Sequence, residues 1–468
     1  MGIMIGIEVH CQLNTKSKLF CSTSSDHRGK QPNESTCPVC LGFPGSKPVV
    51  NKRAIELGML IALALKCKIA EKMFFSRKTY FYPDMSKNYQ ITQYEVPLAE
   101  KGSFTVGENN IRIRRVHIEE DPARLVHIGG DITNSKYVLI DYNRSGIPLA
   151  EIVTEPDFTA PRTVRAFLEK LVNILEHLGA YDSGKEATLR VDANISIDGG
   201  ERVEVKNITG FENVEKALNY EIIRQNGIRR SGIVVARETR HFDASTSTTK
   251  SLRKKEYEED YGYIFDPDLP SITISNEWLG SVASTMPELP DQRVERFVKQ
   301  YSIDEYTSKV IVYVDKHLAD FFEESCALYD KPSIVSNWIV NYLLKSLNWR
   351  SERISQSKAT PRTFVELLQL IDEGKITDRF AKELIKEYVD TGISPRVLAQ
   401  RESVALSEKD LDEIVSKVLQ ANASAAEEYR DGRKESLQFL IGKVLSETKK
   451  QGNPKQIKEL IMKKLMPR

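Results

Sequence analysis

A chain of 468 residues with 67 Lys and Arg against 66 Asp and Glu carries a formal charge of +1, which excludes a wholly basic nucleic-acid coat and an acidic disordered chain. Hydrophobic residues make up 40% of it, and no apolar run reaches the roughly 18 residues of a membrane helix. Its first residues hold neither a basic segment nor a small-residue cleavage site, so two or three folded domains in a soluble, cytosolic protein are expected.

In chain order, alternating or β-branched runs predict strands over Met1 to Val9, Ile111 to Ile118, Tyr137 to Tyr142, Thr188 to Ile197, Arg202 to Lys206 and Ile233 to Glu238. Helices fall between them: Asn51 to Lys66, apolar on nearly every side, then the amphipathic stretches Arg162 to Leu178, following Pro161, and Glu212 to Asn226. Ser245 to Thr249 reads as a loop. Of the 25 glycines, 20 precede residue 290. At Met286 to Pro290 the pattern changes to helical periods over Asp304 to Tyr329, Ile334 to Leu347, Arg362 to Glu373 and Asp378 to Asp390. A last helical set starts at the N-cap candidate Ser407 and runs through Leu411 to Gln420, Ala423 to Arg430, Arg433 to Lys449 and Pro454 to Leu465. The fold class is therefore α+β: a mixed-sheet domain over 1–290, an all-helical domain over 291–401 and a small helical tail domain over 402–468.

The neutral total conceals two parts. Between Arg430 and Arg468 there are 11 Lys and Arg against 4 Asp and Glu, a surplus of seven, which leaves 56 against 62 before it. Such a tail suits a nucleic-acid backbone, which is preferred to a merely solvated helical face because the positive charge is confined to the final bundle of an otherwise acidic chain.

In Ile7 to His10 the strand period of two puts Glu8 and His10 on one face. Further acids stand at strand ends or turns: Glu119, Glu120 and Asp121 before Pro122, then Glu151 and Asp192. Hard oxygen ligands converging with one imidazole suit Mg²⁺ bridging nucleotide phosphates, against the alternative of solvated turns. Phosphoryl transfer needs mainly positioning and charge neutralisation, so the absence of GxxxxGK[ST] and GxGxxG does not exclude it. Between the clusters, Arg77 to Gln93 interleaves aromatics with Arg77, Lys78 and Lys87, a pattern that can stack a base and hold phosphate or form a hairpin with one wet face. No GxSxG elbow and no serine-lysine amidase pattern is present, so any ammonia must come from another chain.

Five of six cysteines lie in the first 67 residues. Cys37 and Cys40 form a CxxC, and Cys21 stands 16 residues before it. Three thiolates could meet at one structural Zn²⁺, with Cys11 or His27 as fourth ligand; free thiols and a redox pair are the alternatives, the latter disfavoured because Pro38 and the following glycines make a turn.

Taken together, IGIEVHCQLNTKSKLFC from Ile5 to Cys21, CPVCLGFPG from Cys37, YFYPD from Tyr80, YQITQ from Tyr89, HIEED from His117, GIPLAEIVTEPD from Gly146, LRVDANIS from Leu189, ETR from Glu238 and PELPD from Pro287 resemble, in order, the B-subunit family of aspartyl/glutamyl-tRNA amidotransferases. The resemblance implies a cradle-like kinase domain, then a helical domain and a tail that grips tRNA. It implies that Mg²⁺-ATP phosphorylates the side-chain carboxylate of Asp or Glu mischarged on tRNA(Asn) or tRNA(Gln). Ammonia then displaces the phosphate, delivered by the amidase (glutaminase) A-subunit, which a small C-subunit braces. By position, His10, Glu120 and Glu151 would hold Mg²⁺ with Glu8 and Asp192 beside them, and Lys78, Tyr80, Tyr82 and Lys87 would line the chamber. Relatives with zinc carry Cys-x-Cys where this chain has Cys21 and Thr23. The archaeal E-subunit type, acting on glutamyl-tRNA, and a non-catalytic zinc-stabilised tRNA-binding module are the competing expectations.

Overall fold

Apolar residues at every second position decide how the strand Ile3–Gln12 lies: Ile5, Ile7, Val9 and Cys11 are buried in the core, while Glu8 and His10 are only partly covered on the other side. The structure, a computed structural model, describes residues 2–129, 135–182, 189–254, 262–402, 408–430, 433–447 and 454–465. Two units emerge, Met1–Pro290 and Asp291–Arg468.

The first unit is built on a mixed nine-stranded sheet. Its strands run across in the order Thr248–Lys254, Glu238–Asp243, Val203–Ile208, Leu189–Ile197, Ile3–Gln12, Pro148–Thr154, Asn109–Glu120, Ala99–Val106 and Lys68–Ile69. The first strand of the chain is thus the central one. Every neighbouring pair is antiparallel except Val203–Ile208 with Glu238–Asp243. That parallel pair requires a crossover, supplied by the helix Phe211–Arg230. The alternation seen in the first strand repeats in Val203 and Val205, both fully buried, around Glu204, and in Val191, Ala193 and Ile195 around Asp192 and Asn194. One face of the sheet thereby becomes apolar, and the helices Lys52–Ala64, Pro161–His177 and Phe211–Arg230 pack on it.

The helix Lys52–Ala64 starts because the Asn51 side chain accepts from the Arg53 N–H, and it is buried on most sides. Gly58 allows a close approach in it: a Cβ would come within 2.6 Å of Leu98 Cδ2 and 2.7 Å of Ile118 Cδ1, so the ends of those side chains would have to shift. Each fully buried Leu or Ile there contributes about 1.5–3 kcal/mol. The expected strand over Ile233 to Glu238 does not form: Gly232, at φ +75°, turns the chain out of the preceding helix, Ile233 and Val234 stay exposed, and pairing begins only at Glu238. Around the expected loop at Ser245, the turn ends at Ser247 and the strand Thr248–Lys254 takes over.

The second unit is helical throughout its described residues. The period expected as one run over Asp304 to Tyr329 is two helices, Glu305–Val314 and Lys316–Leu328, because Asp315 is extended and its carboxylate accepts from the His317 N–H as an N-cap. The run over Ile334 to Leu347 is interrupted by a π turn, Ile339–Leu343, between Pro332–Trp338 and Leu344–Arg350. One hydrophobic cluster gathers Phe297, Phe322, Leu347, Phe364 and Tyr388, and another Val415, Leu440, Val444, Ile457 and Ile461. The cap expected at Ser407 lies outside the described residues. Among the described residues no helix is long and apolar enough to cross a membrane.

Candidate catalytic cleft

The sheet face opposite the helices collects charge because cross-strand neighbours share a face. In register, His10 lies opposite Glu151, and Glu151 opposite His117; further along the same strand, Glu8 lies opposite Asp192. An open cavity of about 260 Å³ forms over this floor.

Its side chains make two clusters. In the first, His10, Glu119 and Glu151 bring ligand atoms within 4.8 Å of one another. Glu151 Oε2 lies 2.7 Å from His117 Nε2 and 3.5 Å from His10 Nε2, and Glu119 Oε1 lies 3.8 Å from His10 Nε2. Burial disfavours a charged imidazole here, yet the adjacent Glu151 carboxylate outweighs it and both histidines are pushed up to about 9. Burial acts against the Glu151 carboxylate too, but the charges of His117 and His10 hold it well below the ordinary range.

In the second cluster, Glu8, Asp192 and Glu204 meet with equal closeness. The Lys206 ammonium serves it, with Nζ at 3.3 Å from Asp192 and 3.6 Å from Glu204. Burial, followed by the charges of Glu151, Asp192 and Glu204, raises the Glu8 pKa. Asp192 is lowered: burial opposes this, and Lys206, His10 and the Asn207 N–H at 2.7 Å prevail.

Lys78 and Tyr80 line the cavity as expected neighbours of the floor, with Gln90, Arg190 and a stacked aromatic pair, Tyr94 on Tyr263 at 3.9 Å between ring centres. The hairpin anticipated in this stretch is the antiparallel pair Ser76–Thr79 and Tyr89–Thr92.

Three expected residues are placed elsewhere. Glu120, expected with His10 and Glu151, points away: its carboxylate takes Lys87 Nζ at 2.6 Å and the Ile91 N–H at 2.8 Å, so Glu119 stands in the cluster instead. Lys87 is consumed by that pair, and Tyr82, half exposed, does not line the cavity. Sequence reasoning misses Glu204 and Lys206, although the alternation about Val203 and Val205 puts Glu204 on the charged face. His117 stands in the HIEED motif, which by itself gives it no task.

Near this floor in sequence, Cys21, Cys37 and Cys40 converge on one point. Cys11 does not join them. Its odd position in the first strand sends it, with Ile7 and Val9, into the core, fully buried, where burial drives its pKa up. His27 is also absent from the group. Instead the buried Lys18 directs its ammonium at the Ser35 carbonyl, 2.8 Å, and at Cys40 Sγ, 3.7 Å. A hydrogen bond from the Cys21 thiol, with Lys18 and the Cys37 N–H against the cost of burial, lowers Cys40 to about 5. The surroundings of Cys40 thus favour its thiolate, the form a soft metal binds.

Residues 3–280 match the GatB/GatE catalytic domain, and residues 320–465 match the GatB domain. Proteins named as the B-subunit of aspartyl/glutamyl-tRNA(Asn/Gln) amidotransferase, from Saccharolobus solfataricus and Thermotoga maritima, are similar at 47% and 44% identity, over 99% of this chain and 99% and 98% of theirs. That of Methanospirillum hungatei is 44% identical over 98% of this chain and 97% of its own. The chain belongs to the GatB family. The catalytic-domain match spans every strand of the nine-stranded sheet, so both carboxylate clusters fall inside it. The second match begins at residue 320, within the helix Lys316–Leu328, and takes in the first hydrophobic cluster of the helical unit only in part, since Phe297 precedes it.

Proposed function

We propose that the protein is the acid-activating component of a tRNA-dependent amidotransferase, phosphorylating the side-chain carboxylate of Asp on tRNA(Asn), Glu on tRNA(Gln), or both, with ATP, and completing the amide with ammonia. The observation that carries this reading is the pair of carboxylate clusters on one floor of an open cavity. In the first step a substrate carboxylate oxygen attacks the γ-phosphorus and the bond to ADP breaks. In the second, ammonia attacks the acyl carbon and phosphate leaves. Neither step needs a nucleophile from this chain, which supplies positioning and charge.

The donor sets fit Mg²⁺: three carboxylates held within 4.8 Å, with Glu8 raised by burial and their mutual repulsion, are relieved by a hard cation. Glu119, Glu151 and, once it has given up its proton, His10 would hold one ion, with Glu8, Asp192 and Glu204 in reach of another. When bound, Mg²⁺ neutralises charge on the transferring phosphoryl group. The residues of this chain do the rest. His10 and His117 keep Glu151 ionised and oriented, and Asn194 Nδ2 orients Glu8 from 3.1 Å. Arg190, fixed by Asp121 at 2.6 Å, and Lys78 place positive charge beside the floor where phosphate oxygens would lie. The stacked face of Tyr94 and Tyr263 offers a platform for a base.

Residues 1–290 form the cradle-like kinase domain in this reading, 291–401 a helical domain and 402–468 a basic tail that takes tRNA. Cys21, Cys37 and Cys40 fit a zinc with three sulfur ligands from this chain. The amidase A-subunit supplies ammonia and the small C-subunit braces it, and the complex works in the cytoplasm. The names of the relatives favour the B-subunit over the archaeal E-subunit type.

The test reconstitutes the complex, supplies ATP and ammonium, and follows amidation of each mischarged tRNA. ATP cleavage that depends on the mischarged tRNA is expected; amide formation without ATP would sink the reading. Deletion of 402–468 is expected to weaken tRNA affinity and flatten its salt dependence, and unchanged binding would remove the tail from the interface.

A further inference from the structure

The helical unit has its own cavity, of about 520 Å³, within the roughly 300–1,000 Å³ of ordinary ligand sites. Tyr342, Lys345, Trp349, Arg350, Lys382 and Lys386 line it, and no acidic side chain among the described residues does. Its aromatics differ sharply. Tyr342 is packed, its ring 4.6 Å from that of Trp338 and its face under Lys382 Nζ at 4.5 Å. Trp349 is 84% exposed.

The cavity wall is braced rather than loose. Arg350 is pinned by Asp390 at 2.6 Å, the Lys386 carbonyl at 2.8 Å and Ser346 at 2.8 Å, which fixes the turn that presents Trp349. Lys386 is met by Glu383 at 2.9 Å. The ammonium groups of Lys345 and Lys382 are the charges that an occupant would meet. One edge of the cavity is the π turn Ile339–Leu343, where the Leu344 N–H reaches back to the Ile339 carbonyl. Such widened turns give up regular helix geometry and recur at functional sites.

A largely exposed indole, with the Arg350 guanidinium 5.5 Å from its ring centre and two ammonium groups nearby, asks for an occupant with a flat π face and more than one negative charge. We propose that this cavity takes an unpaired RNA base, stacked on Trp349, with its flanking phosphates on Lys345 and Lys382. The source of that RNA, a tRNA substrate, rests on the function proposed above; the chemistry of the cavity does not. It is separate from the basic tail, whose charge follows Arg430.

The experiment uses the full chain in its complex. Titration with a short oligoadenylate is followed by tryptophan emission, the contribution of Trp349 being the difference between the parent and Trp349→Phe; binding of whole tRNA is measured across a salt series. Quenching at Trp349 is expected. Trp349→Ala weakens RNA binding by roughly five- to 150-fold, the range for one stacked base, and Trp349→Phe restores part of it. Lys345→Ala with Lys382→Ala lowers the slope of log affinity against log salt by about 0.7 per lost phosphate contact. RNA affinity unaltered in Trp349→Ala overturns the proposal, as does quenching by poly-glutamate but not by oligoadenylate, which would assign the surface to an acidic protein. Quenching in a parent complex that cannot amidate would leave the cavity standing and defeat the catalytic reading; an active complex with silent Trp349 would do the reverse.

Discussion

The two carboxylate clusters share one floor, and the first strand gives a residue to each, yet their electrostatics are opposite. Around Glu151 two imidazoles supply the compensating charge, and the carboxylate is held ionised. Around Glu8 three acids share Lys206, and the carboxyl group retains its proton more tightly. A buried anion that already has cationic partners is built to stay in place, whereas a surplus of negative charge is built to receive a cation. In the function proposed above, the first cluster would hold its ion as a fixed part of the site and the second would be the one to exchange it.

The largest expected effect comes from removing the anchor. Glu151→Gln should reduce amidation from free ammonia by about a hundredfold to a thousandfold, and should bring both imidazoles back toward their ordinary pKa in a proton NMR titration; histidines that still titrate near 9 would show that the coupling is misassigned. Next, Lys87→Ala leaves Glu120 buried with its charge uncompensated, so it should destabilise the first unit by about 3–5 kcal/mol in denaturant unfolding. Glu120 is thereby treated as structural: if Glu120→Gln lowers activity as much as Glu119→Gln at equal folded fraction, the roles of the two neighbours are reversed. In the second cluster, Glu204→Gln should raise the Mg²⁺ concentration for half-maximal activity by roughly tenfold to a hundredfold with maximal rate largely retained. A loss of maximal rate at saturating Mg²⁺ would erase the contrast between clusters.

The smallest effect is on pH. His10 and His117 have folded pKa values raised from 6.5 to about 9, so their contribution to stability is complete below about pH 6.5 and is lost as pH rises through 9. Tm should therefore fall by several degrees across that window in the parent and by less in Glu151→Gln. Equal falls in both would detach the effect from this cluster.

Much of this floor is legible from period two. Ile5, Ile7 and Val9 opposite Glu8 and His10 place two polar side chains on the cleft face without any knowledge of contacts, and the same rule, applied strictly, sends Cys11 into the core. It also separates two adjacent acids. Val116 and Ile118 are buried in the core, so His117 and Glu119 take the cleft face and Glu120 the opposite one; the resemblance points to Glu120, and the alternation of its own strand points to Glu119. Glu204 is readable in the same way as Glu8, between two valines, but nothing local marks that its strand lies beside Leu189–Ile197. Helix ends follow caps and prolines, whereas the π turn at Ile339 has no signature in composition.

The central position of Ile3–Gln12 has a consequence for how the protein is made. It precedes both of its neighbours, Pro148–Thr154 and Leu189–Ile197, so throughout the synthesis of residues 13–147 the backbone of an apolar strand has neither partner. The Glu151 cluster can assemble once residue 154 is free, the Glu204 cluster only after 208. Vectorial synthesis thus imposes an order on the floor of the cleft, the Glu151 cluster before the Glu204 cluster, while the strand on which both depend waits unpaired.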